Sequence, residues 1–188
     1  MPSTLNSVKQ KVNSIHKDIK KFNSEVDQDI AAVSENKDLT DLARHQRTEK
    51  LKRRKADFYS KKMKEKASII QNTDDKLRRS VYSGKNSSDL AFDEAARKFS
   101  KAETDKELLD VVNGKPSDET LRAVAKASVT GKSINWRVLQ EAARVDDSIG
   151  RNVKELENFH EQWGSLEPKS QRLERKLFGD HASTVTSA

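Results

Sequence analysis

Apolar residues at the start of the chain recur with helical regularity. Leu5, Val8, Val12, Ile15, Ile19, Phe22 and Val26 are separated alternately by three and four residues, the heptad spacing of a helix that packs on another through a narrow seam. The next slot holds Asp29, and the pattern shifts to Ile30 and Val33. Caps and polar residues in Ser34-Glu-Asn-Lys-Asp-Leu-Thr40 predict a break or sharp turn over 34–40. From Leu42 the apolar positions thin to Leu51 and Phe58, then resume as Met63, Ala67, Ile70, Leu77 and Val81, with Asp74 interrupting. A seam this narrow does not hold a lone helix in water; it needs a partner helix, from the same chain or from another copy.

The composition of the seam bears on that partner. Val and Ile occupy both classes of seam position, whereas a parallel dimer prefers Leu in the second, so a higher oligomer or an antiparallel arrangement is expected. Flanking charge runs from basic (Lys9, Lys11) to acidic (Asp18, Glu25, Asp27, Asp29). Such a gradient complements itself when two copies run antiparallel, and it equally suits folding back on a basic second helix through a turn at 34–39. Both arrangements stay open.

Glycine punctuates the rest. None occurs before Gly84; the six stand at 84, 114, 131, 150, 164 and 179, mostly just after a stretch that reads as helix. Ser88 or Asp89, Thr104, Ser117 and Ser133 stand where N-caps belong, and Pro116 and Pro168 fit helix boundaries. The reading is therefore all-α: a long-helix, heptad-containing and basic arm over 1–83, a compact bundle of about five short helices over 86–179, and a flexible tail over 180–188. Stripes such as Leu90, Phe92, Ala95, Ala96 and Phe99, together with Leu121, Val124, Val138, Leu139, Ile149, Val153, Leu156 and Phe159, supply the core expected of that bundle. Trp136 and Trp163 are assigned to the same core ahead of an interface.

Composition narrows the class further. In 188 residues, hydrophobic side chains make up 33% and charged ones 36%, which suits a charged helical protein and not an aromatic-rich sandwich. There is no cysteine, so disulfides, thiol nucleophiles and Cys-based zinc sites are excluded. No apolar h-region or spanning run occurs, and an intracellular location, or the interior of an assembled particle, is expected.

Charge is uneven. Residues 1–83 hold 20 Lys/Arg against 12 Asp/Glu, a balance of +8, while the remainder holds 17 against 18, a balance of −1. The excess concentrates in Arg44, Arg47, Lys50, Lys52, Arg53, Arg54, Lys55, Lys61, Lys62, Lys64 and Lys66, interleaved with Phe58 and Tyr59. These are candidate phosphate or anion contacts. Counterion release would make them bind DNA or RNA whatever its sequence, and no feature of the run reads bases. A solvated face, and contact with an anionic membrane or an acidic protein surface, are the competing uses. A membrane is not the expected partner, because the run lacks the strongly amphipathic basic helix that a membrane surface takes.

Chemical motifs are sparse. His16, His45, His160 and His181 are scattered, and Glu157-x-x-His160 has no second copy of the kind a di-iron bundle requires, so no metal or cofactor is expected. No phosphate loop, dinucleotide turn or nucleophile elbow occurs. Residues 118–145 read as helix, short turn, helix, but aligning them as a DNA reader puts Arg137 and Gln140 in apolar positions, so they are assigned to the bundle. The function expected is non-enzymatic. It is that of a structural or assembly protein (a scaffold, virion-interior or bridging component) that associates with itself and with a larger protein assembly. Sequence-independent nucleic-acid binding through 44–66 is the alternative.

Overall fold

In the computed structural model, which describes residues 4–83, 90–102, 104–130 and 133–163, the chain is all-α. Helix α1 spans Thr4–Glu35 and α2 spans Asp41–Tyr82. The turn between them is closed by short polar side chains. Asn36 Oδ1 accepts the Asp38 N–H at 2.9 Å, and Thr40 Oγ1 caps α2 by accepting the Ala43 N–H at 3.3 Å. Arg44 Nη1 donates to the Asn36 carbonyl at 3.0 Å.

The chain divides into two units, residues 1–73 and 74–188. The division expected near Gly84 falls earlier, inside α2 after Thr73, and Leu77 and Val81, both buried, belong to the second unit.

Within the first unit, α1 and the adjoining part of α2 pack antiparallel. Phe22 stacks on Phe58 with ring centroids 4.0 Å apart. Lys55 Nζ donates to Asp27 at 2.8 Å and Lys62 Nζ to Asp18 at 2.9 Å, so each step up α1 is matched by a step down α2. Val8, Val12, Ile15, Ile19 and Val26 are buried, and Leu5 and Phe22 are half-buried. The seam, for which a helix of the same chain and one of another copy were both open, is covered here by the chain's own second helix.

So few apolar residues on α2 suffice because lysine stems complete the cover. Leu51, Lys55, Phe58 and Lys62 follow one another at helical spacing on the face turned to α1. The Lys55 and Lys62 side chains are only 23% and 18% exposed, their methylenes lying inward while their ammonium groups reach carboxylates at the edge.

In the second unit the end of α2 is joined by α3 (Leu90–Phe99), α4 (Asp105–Asn113), α5 (Asp118–Val129), α6 (Trp136–Val145) and α7 (Asp147–Trp163). Helix α5 is the hub: α3, α4 and α6 pack on it, α4 also meets α6, and α7 lies on α6. Its Leu121, Ala123, Val124, Ala125 and Val129 are buried, and the alanines let neighbouring helices approach closely. Phe92 and Ala96 of α3 cluster with Ala123, flanked by Tyr82, Ala95 and Phe99. Val138, Leu139 and Ala142 of α6 and Ile149, Val153, Leu156 and Phe159 of α7 complete the core. Leu90, expected in the α3 stripe, is instead 80% exposed.

Caps and glycines depart from expectation in instructive ways. Ser117 caps α5 by accepting the Thr120 N–H at 3.2 Å, as its position implies. Thr104 makes no side-chain cap bond. The cap assigned to Ser133 is made by Asn135, whose Oδ1 accepts the Val138 N–H at 3.3 Å, because α6 starts later than its apolar pattern suggests. At the end of α4 the left-handed residue is Lys115, with φ 54°, while Gly114 keeps φ −76°. Gly150 lies inside α7. A Cβ there would stand 2.9 Å from the Ala143 carbonyl oxygen, so the missing side chain is what admits the backbone of α6. Asp146 separates α6 from α7, and its Oδ1 accepts the Ser148 and Ile149 N–H groups at 2.7 and 2.9 Å, capping the start of α7. The features read at Gly84, Ser88, Asp89, Gly131, Gly164, Pro168, Gly179, His181 and the tail over 180–188 lie outside the described residues.

Candidate functional site

The basic run lies on α2 within the first unit. Helix geometry sorts its eleven cations into two sets. Those turned toward α1 or toward their own helix neighbours are occupied. Lys55 is held by Asp27, and Lys62 by Asp18 and by Glu65 at 3.1 Å. Lys66 Nζ sits 3.3 Å from His16 Nε2, and Lys52 pairs with Glu49 at 2.9 Å. Arg44 closes the interhelical turn and pairs with Asp41, and Arg54 lies over the Phe22 ring, 5.2 Å from its centroid. Arg53 acts electrostatically on Glu49.

The second set is free of ion pairs and hydrogen bonds among the described residues: Arg47, Lys50, Lys61 and Lys64, all exposed. They are separated by steps of three and eleven residues, which return an α-helix to nearly the same face. They therefore form a row along one flank of α2, about 25 Å long. Asp57 interrupts it.

Titration behaviour follows from the same contacts. Burial, and then the nearby Lys66 ammonium, push the His16 imidazole below its ordinary value. Burial lowers Lys66 as well, while hydrogen bonds to Asp18 and Glu65 raise Lys62. The hydrogen bond from Lys52 lowers Glu49.

Beside the upper part of the basic row the hairpin opens into a groove of about 700 Å³. Its floor is Ala32, Val33 and Leu51, and its rim carries Arg47, Lys50, Arg53, Arg54, Asp29 and Asp57. The groove follows from the seam. Asp29 occupies the slot where the next buried aliphatic belongs and is exposed, and Ala32 is too small to cover its neighbours. The half-covered apolar surface of Val33 and Leu51 is what remains.

The order of bases along the run does not by itself separate the occupied from the free ones, nor does it assign Asp18, Asp27 and His16 as their partners. The signal was present in the opposed charge gradients of the two helices, once the turn is placed at 36–40. In the second unit, Trp136 is half-buried with its ring 5.4 Å from that of His160 and edge-on to it. His160 Nε2 lies 2.7 Å from Asp74 Oδ1, and Glu157 accepts from Gln140 at 3.0 Å, so the two residues of the Glu-x-x-His spacing have separate partners. Asp74 also accepts from Arg78 Nε at 2.8 Å, and Arg78 Nη1 donates to the Val129 carbonyl at 2.8 Å, tying the end of α2 into the unit. No group of three potential metal ligands occurs among the described residues, and no helix described is long and apolar enough to cross a membrane.

The class defined by these features is an all-α protein built from a charged helical hairpin and a helical unit centred on α5. No protein-family model, curated protein or solved structure matches the chain.

Proposed function

We propose that this chain is a non-enzymatic structural component that joins a larger assembly by docking the basic flank of its helical hairpin on an acidic protein surface. The observation that carries this reading is the adjacency of unpaired cations and apolar surface: Arg47 and Lys50 stand on the rim of a groove floored by Ala32, Val33 and Leu51. Protein surfaces recognise that combination, because apolar contact supplies affinity and charge supplies orientation. Self-association through the α1 seam would require α2 to leave it, so docking falls to the outer flank of the hairpin.

The length of the row favours a second reading, sequence-independent contact with nucleic-acid phosphates. Four phosphate contacts would make log affinity fall steeply with log salt. One experiment separates the two. Binding of the full chain to a duplex DNA oligonucleotide is measured across salt, with the wild type and with Arg47, Lys50, Lys61 and Lys64 all changed to Gln. Protein docking predicts weak DNA binding at about 150 mM salt from the outset. Tight DNA binding that collapses in the quadruple variant, with its helical spectrum unchanged, would replace the assembly reading with the nucleic-acid one.

A further inference from the structure

We infer that the groove between α1 and α2 at Val33 and Leu51 receives an acidic amphipathic helix from a partner protein, completing a three-helix arrangement at that end of the hairpin. The inference rests on the docking role proposed above and deepens it by assigning the place and the kind of partner.

Two helices bury only the seam between them, and any apolar residue lateral to that seam stays half wet. Most of this hairpin avoids the problem by flanking its seam with charge. At this end it does not: Asp29 leaves the seam, Val33 and Leu51 are half-buried, and Ala32 is exposed beside them. The opening of about 700 Å³ is large enough for several side chains and is bounded by both helices, the geometry in which a third helix is laid into a groove.

Charge selects the partner. The rim carries four cations, Arg47, Lys50, Arg53 and Arg54, against two carboxylates, Asp29 and Asp57. Arg47 and Lys50 have no counterion among the described residues. The four follow α2 over about two turns, a span of about 10 Å, so carboxylates placed at helical spacing on a partner would meet them in register. A duplex could engage the cations but has nothing to offer the aliphatic floor. A second copy would bring the same positive rim and be repelled.

The test uses the full-length chain and a fluorescein-labelled helical peptide of about 18 residues, five turns, with Leu at heptad core positions and Glu on both flanks. A scrambled peptide of the same composition and a duplex DNA oligonucleotide are the comparisons. Anisotropy at about 150 mM salt should show the amphipathic peptide binding at least about tenfold more tightly than the scrambled one. Ala32→Arg, which fills the exposed floor without entering the seam, should weaken it by a similar factor while the circular dichroism melt stays unchanged. Leu51→Gln should do the same, and its melt reports whether the hairpin itself has loosened. Equal binding of both peptides, insensitive to Ala32→Arg, would overturn the groove while leaving docking by charge intact. Preference for DNA over both peptides would overturn the groove and the docking role together. A concentration-dependent dimer abolished by Ala32→Arg would show that a second copy is the occupant and overturn the partner assigned here.

Discussion

The two units of this protein hold helices together by different means. In the unit built on α5, five helices and the end of α2 surround residues such as Val124, Leu139, Ile149 and Leu156, none of which retains exposed surface. In the hairpin the buried row is one residue wide, and it is sealed at its edges by Lys55 and Lys62, whose ends are neutralised by Asp27 and Asp18. The first is a packed volume, where removing atoms leaves a cavity. The second is a line, whose neighbours can close over a loss. The difference teaches why the hairpin carries the charge and the groove: its surface has few residues committed to packing.

The strongest way to break the comparison is to cut one buried side chain in each unit. Leu139→Ala should cost about 3–5 kcal/mol and Ile15→Ala about 2, since cost grows with the cavity that cannot collapse. Chemical denaturation of the full chain, followed by far-ultraviolet dichroism, measures both. Equal losses would mean that the hairpin seam is as rigidly packed as the core.

Gly150→Ala comes next. In an exposed helix the change would gain about 1 kcal/mol, but the added Cβ meets the Ala143 carbonyl oxygen at 2.9 Å and forces α6 and α7 apart. A net loss of about 1–3 kcal/mol is expected in the same assay. A gain would show that the helices yield without cost and that the second unit is looser than its packing implies.

A smaller effect sharpens the account of the seam. Lys55→Met keeps the stem and removes the charge, whereas Lys55→Ser removes both. If the stem is what seals α1, the first should change stability by less than about 0.5 kcal/mol and the second should lose about 1 kcal/mol. Equal losses would assign the contribution to the Asp27 ion pair instead.

The smallest expected effect is a pH dependence confined to the hairpin. His16 takes up a proton less readily when folded, where Lys66 faces it, than when unfolded. As pH falls below the ordinary histidine value of about 6.5, the unfolded chain binds that proton first. Stability present at neutral pH is therefore lost as pH falls from there toward the lower folded value. His16→Asn should flatten this part of the profile, read from urea midpoints at about pH 7.5 and 5.5. A slope of unchanged size in the variant would trace it to the carboxylates.

Much of this was legible in residue order because helical periodicity and capping are local. The α1 seam, the turn over 34–40, the α5 cap at Ser117 and most of the core stripes follow from spacing alone, since side chains three and four residues apart must share a helix face. Residues whose role depends on a distant neighbour were not legible. Gly150 has no evident purpose until Ala143 is placed against it, and Lys55 reads as one base of a run until Asp27 stands opposite. The seam itself needed a partner on sequence grounds, but only the folded-back α2 decided which one. Local spacing determines which face of a helix is apolar; what covers that face is chosen by long-range packing, to which a single helix is blind.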